Sequence, residues 1–151
     1  MLVNFIAVFL IPWILGAWLY IKNDKIVLTI APTFSVLSFV VNHWGVQTGY
    51  WEIVPVLENK SFSGLFYDTG IFPVLATLLV YLIHRRRLNP FILIVLITSG
   101  TTFIESIGYY FGRVLYANGW NFGWTFVSYL IPFSLTYLYY IFLNKKGFYQ
   151  E

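Results

Sequence analysis

Apolar and polar positions in this chain fall into long blocks rather than a short alternation. Five apolar runs, at 3–21, 26–44, 66–83, 90–111 and 122–143, are separated by stretches that carry almost all the charge. Each run approaches the ~20 residues with which a helix crosses a hydrocarbon core of about 30 Å. The pattern predicts an all-α fold, an integral membrane bundle of five transmembrane helices, formed as a single domain over residues 1–151. The first run has no basic segment ahead of it and exceeds the apolar core of a signal peptide, so it is read as a retained helix. Pro12, Pro32, Pro73 and Pro132 fall inside runs, where neighbours must satisfy the carbonyls they free. Pro132, at mid-span, is the expected kink.

The charged separators set an orientation. Lys22, Asp24 and Lys25 occupy the turn after the first run, Arg85, Arg86 and Arg87 follow the third, and Lys145 and Lys146 follow the fifth. Taken by alternate loops, seven basic residues lie on one side, against Lys60 and Arg113 on the other. The excess of basic residues on cytoplasmic loops then predicts an amino terminus outside and a carboxyl terminus inside. Trp44, Tyr50, Trp51, Trp120 and Trp124 fall at the outer helix ends, where an aromatic belt is expected. The long connection at 45–65 leads into SFSGLF at 61–66, expected as a short helix along the interface.

Composition strengthens the membrane reading. The chain is 59% hydrophobic and 10% charged, against roughly 25% charged in soluble domains, so there are too few charged side chains to cover a soluble core. The net charge of +3 serves as an orientation signal, and without a basic face it predicts no nucleic-acid partner. The lipid bilayer is the expected partner. The chain has no cysteine, which removes disulfides, thiolate catalysis and cysteine-based zinc sites.

One carboxylate interrupts the apolar pattern. Glu105 lies within the fourth run, and an ionisable side chain at the centre of a span is disfavoured by about 2.5–3.5 kcal/mol on insertion scales, so it is expected to face the bundle interior. Thr101, Thr102 and Tyr109 lie three or four residues away on the same helical face and are candidates to solvate it. Gly108 and Gly112 form a G-x-x-x-G, through which a homodimer is expected. Counting ~20 residues per crossing from the charged turns brings His43, Asp68 and Glu105 to one depth near the outer boundary. Arg113, about two turns beyond Glu105, is a candidate partner for either carboxylate. Each has a plainer reading: Asp68 as a helix cap, His43 as a boundary residue, Arg113 as a snorkelling cation. Asn42, Glu52, Tyr67, Tyr109, Asn118, Asn121 and Ser128 are candidates to extend the polar layer.

The constellation favours binding over catalysis. His43 and the carboxylates sit on separate helices without H-x-x-x-H or H-E-x-x-H spacing, which leaves metal binding open, and no cofactor is expected. Ser106 points away from Glu105 around the helix, so no catalytic residue is assigned. The expected role is binding, or translocation, of a small polar ligand, cation or proton by Glu105, Asp68, His43, Arg113, Tyr109 and Thr102. The alternatives are a non-catalytic membrane subunit or sensor, and a membrane enzyme acting on outer-leaflet lipid.

YDTGIFPVL (67–75), Glu105 and YANGWNFGWTFVSY (116–129) together resemble a family of small multi-pass membrane proteins of Bacillus- and Clostridium-type bacteria. Its members similarly place an Asp shortly before a Pro at a helix start, a Glu in the next helix, and a Gly-Trp turn before an aromatic last helix. The resemblance implies a bacterial cytoplasmic-membrane location and no particular activity.

Overall fold

A computed structural model describes residues 2–149. Five helices are long and apolar enough to cross a membrane: α1 (Leu2–Lys22), α2 (Asp24–Gln47), α3 (Tyr67–Arg86), α4 (Pro90–Tyr110) and α5 (Phe122–Lys145). Asparagine starts three of them. The side chains of Asn23, Asn89 and Asn121 accept backbone N–H groups from the first turns of α2, α4 and α5, satisfying donors that a helix start leaves free.

The fold is not purely helical. Strands β1 (Trp51–Ile53) and β2 (Val114–Tyr116) pair antiparallel, with Trp51 opposite Tyr116 and Ile53 opposite Val114. This ribbon ties the two longer connections together across one end of the bundle. Its inward side chains, Trp51, Ile53 and Val114, pack with Val46 into a small core of their own. Asn4 Nδ2 donates to Val54 O at 3.0 Å, so the start of α1 belongs to this ribbon end. At the opposite, basic end, the chain after α5 folds back. Tyr149 is buried, shares a hydrogen bond of 2.7 Å with Thr29 and stacks on Tyr140. The segment expected as an interfacial helix forms a 3₁₀ turn at Lys60–Gly64, with Ser61 and Ser63 inward and Phe62 outward.

α3 is the centre of the bundle: 56% of its apolar window is buried, against 17–33% for the other spans. Phe72, Ala76, Leu79 and Val80 meet Ile26, Ile30 and Phe34 of α2 and Phe133 of α5 in the main core. The crossing of α1 with α3 depends on proline. π-helical turns at Phe5–Leu10 and Tyr67–Ile71 run up to Pro12 and Pro73, where each ring removes a backbone donor and frees the carbonyl four residues earlier. The carbonyl of Thr69 receives the Trp13 indole N–H at 2.8 Å. The carbonyl of Val8 lies so close to Gly70 that a Cβ there would come within 2.1 Å of it, so only glycine permits the approach. The π-helical turns thus precede Pro12 and Pro73, while α5 is α-helical on both sides of Pro132.

Candidate functional site

Glu105 is half-buried on α4 and turned towards α5 and β2. Its Oε1 accepts the Tyr116 hydroxyl at 2.5 Å and the Thr125 hydroxyl at 3.4 Å, and Oε2 accepts the Tyr129 hydroxyl. Thr125 and Tyr129 are four apart, hence on one face of α5, and the ribbon register brings Tyr116 in from the end of the bundle. Behind them, the Trp120 indole N–H donates to Thr125 Oγ1 at 2.9 Å, and Thr125 and Tyr116 are 2.8 Å apart. An indole only donates, so Thr125 accepts from it and passes its own proton towards Tyr116 or Glu105. Every proton in this network is thus directed at the carboxylate. Tyr116, which lies outside the spans, has its phenol pKa raised, first by burial and then by the charge of Glu105, and remains a donor.

Asp68 meets a different environment. It is 1% exposed in the π-turn of α3, and its Oδ1 accepts Ser38 Oγ and Asn42 Nδ2, each at 2.5 Å, from adjacent turns of α2. Asn42 Oδ1 accepts the Trp51 indole N–H at 3.2 Å, which settles the orientation of the amide. Trp51 lies flat on α2, where a Cβ at Gly45 would fall 1.9 Å from its ring. Oδ2 of Asp68 is buried without a hydrogen-bond partner among the described residues. Asp68 caps no helix end: that turn has no side-chain cap bond.

Between these carboxyl groups are two small chambers, leaving about 20 Å³ and 40 Å³ for the centres of water-sized spheres. Since one such sphere needs about 10–15 Å³, the first holds a single water-sized species and the second up to a few. Glu105, Asn42, Trp51, Phe72 and Tyr129 line both. Phe34, Ser38, Val41, Trp120, Ser128 and Pro132 complete the first, and Ile53, Tyr67, Ile71, Ile104, Gly108 and Val114 complete the second. Asp68 lines neither. It stands behind the wall, holding Ser38 and Asn42 in place.

Several expected partners are elsewhere. Thr102 donates to the Thr98 carbonyl of its own helix at 2.9 Å, because a mid-helix threonine reaches back to its own backbone more readily than along the face. Tyr109 is 38% exposed and packs its ring on Tyr116 at 4.9 Å, touching the network from outside. His43 is exposed on α2 and bonds Ser61 at 2.8 Å, one residue past Asn42 and so about 100° round the helix from the chambers. Among the described residues Arg113 pairs with neither carboxylate, whereas Lys60 pairs with Glu52. Its backbone is committed to ending α4, with Arg113 N–H on Gly108 O and Gly112 N–H on Tyr109 O. That is a Schellman cap with Gly112 at φ +65°, so Gly108 and Gly112 do not form a helix face for dimerisation. Trp51, expected in the aromatic belt, is buried, whereas Trp44 and Trp124 are exposed.

The residues not anticipated around Glu105, namely Tyr116, Thr125 and Tyr129, come from 11 to 24 positions further along the chain. The signal for Thr125 and Tyr129 was the pairing of polar groups four apart inside an apolar run, repeated at Ser38 and Asn42. Among the described residues no group of three or more His, Asp or Glu side chains is placed to hold a metal ion. No protein-family profile, curated protein or solved structure matches the chain.

Proposed function

We propose that the chain is a multi-pass protein of the bacterial cytoplasmic membrane, with its amino terminus and ribbon end outside and its basic end inside, and that Glu105 is an outer-side binding residue for a proton or a small cation. The observation that supports this is a carboxylate in a membrane-spanning helix with hydroxyl donors on both oxygens, no cation paired with it among the described residues, and two water-sized chambers at its side. Hydroxyl donors offset part of the desolvation of such a group but leave its charge uncompensated. A cation or proton from the outer solution supplies the missing charge. The chamber volumes favour an occupant of a few heavy atoms over a larger solute.

Orientation and binding are separately testable. Because the chain has no native cysteine, Asn118→Cys should react with an impermeant maleimide on intact cells and Lys146→Cys should not. The reverse pattern overturns the orientation. In purified protein, Trp51 and Trp120 flank Glu105, so tryptophan fluorescence should change with pH or cation concentration in the wild type and stay flat in Glu105→Gln. An identical response in both proteins overturns the role of Glu105.

A further inference from the structure

The walls of the two chambers narrow the class of cation. Resting on the assignment of Glu105 as a cation-binding residue, we infer that the site takes a small primary alkylammonium ion, its –NH₃⁺ group in the first chamber against Glu105 and its short alkyl group in the second.

Chemistry of the walls carries the choice. A hard divalent ion seeks about six or more oxygen ligands, with carboxylates prominent among them. Here the carboxylate in the walls is Glu105, with Ser38, Asn42, Ser128 and the Tyr129 hydroxyl as the other oxygen-bearing side chains of the first chamber. The remaining surface is largely aromatic. Trp51 and Trp120 have ring centroids 4.7 Å apart, and Phe72 and Tyr129 are 5.2 Å apart. Aromatic faces attract cations that shed water easily, tryptophan most strongly, and they offer nothing to an ion that must keep an oxygen shell. A carboxylate that shares its chamber with aromatic rings suits an ammonium group, which has three hydrogens to place.

The hydrogen-bond acceptors are available where that group would sit. Asn42 keeps a lone pair on Oδ1 beyond its bond to Trp51. Pro132 lacks the N–H that would otherwise take the Ser128 carbonyl, and both residues line the first chamber. Size and polarity then divide the ion. The first chamber, of about 20 Å³, admits one heavy atom with its hydrogens. The second, of about 40 Å³, has Ile53, Ile71, Ile104 and Val114 in its walls beside Tyr67, and suits a methyl or ethyl group. Both share Glu105, so one ion can occupy them together.

Calorimetric titration of the full chain in lipid nanodiscs, with methylammonium chloride against sodium chloride, tests this. Saturable methylammonium binding that is lost in Glu105→Gln and weakened about tenfold in Phe72→Leu, through loss of one aromatic face, is expected. Gly108→Ala is a second variant that keeps the fold, since its Cβ would meet nothing nearer than Val114 Cγ2 at 3.7 Å. By shrinking the second chamber it should weaken ethylammonium more than ammonium. If protons alter the fluorescence of the wild type but not of Glu105→Gln, and methylammonium binds no better than sodium, the alkylammonium assignment is overturned while Glu105 keeps its role. Loss of both responses in the wild type overturns both.

Discussion

Glu105 and Asp68 are two carboxyl groups in the same half of one bundle, and the protein treats them oppositely. Glu105 receives hydroxyls on both oxygens from segments distant in sequence and looks onto open volume. Asp68 is closed off, with Ser38 and Asn42 on one oxygen and, among the described residues, nothing on the other. The difference separates a group placed to exchange partners from one placed to hold its neighbours. A buried acid that anchors two side chains of the adjacent helix shapes the wall of a site without belonging to its lining. Proximity and charge alone do not distinguish the two, whereas which atoms remain accessible does.

Removing each carboxyl should break this contrast most sharply. Asp68→Ala strands the buried donors of Ser38 and Asn42, so a loss of about 1–3 kcal/mol per stranded donor is expected, read as a lower thermal midpoint of the purified protein. Glu105→Gln, with an amide of the same shape beside hydroxyls that can turn, should move that midpoint far less while abolishing the cation and pH response. If the two effects were exchanged, the roles assigned to the two acids would be exchanged too.

Substitutions around Glu105 give a finer grading. Among the described residues Tyr129 is the one donor to Oε2, whereas Tyr116 shares Oε1 with Thr125. Tyr129→Phe should therefore weaken cation binding more than Tyr116→Phe, the larger effect corresponding to a hydrogen bond to a charged group at about 1.5–3 kcal/mol. Equal effects would show that the two oxygens are not distinguished. High pH probes the same network. A folded-state phenol pKa raised above the unfolded value means that stability is intact below about 10 and falls as pH climbs past it. Tyr116 and Tyr149, both raised chiefly by burial, should thus keep their contacts through the usual phenol range and lose them only above it, as read by phenolate absorbance. The smallest effect is expected from His43→Ala. Its side chain is exposed and bonded to Ser61, so both stability, within about 0.5 kcal/mol, and the cation response should be unchanged.

How much of this was legible in the sequence follows from what each feature depends on. The five spans were readable because twenty apolar residues between charged turns leave few alternatives, and the helix ends differ from the expected runs by at most three residues, as at Gln47 against 44. Glu105 stood out because a charge in such a run is improbable without a partner. Its partners did not, since local spacing favours Thr102 and Tyr109, and mid-helix threonines instead satisfy their own backbone. Tyr116 reaches Glu105 only through the ribbon, and a pair of three-residue strands is too short for a periodic signal to reveal. His43 was placed at the right height on the wrong side, because depth along a helix is set by counting and rotation about it is set by packing. The same limit applies to Gly112, whose motif spacing reads as a helix face until the helix is seen to end at Tyr110.

The contrast between the two acids is most directly tested by infrared difference spectroscopy of the carboxylate stretches, recorded on reconstituted protein as methylammonium concentration is changed at fixed pH. The expected result is a carboxylate band that appears in the wild type, persists in Asp68→Asn and vanishes in Glu105→Gln. A band that survives in Glu105→Gln, or that vanishes only in Asp68→Asn, would contradict the assignment of Glu105 as the group that meets the incoming charge.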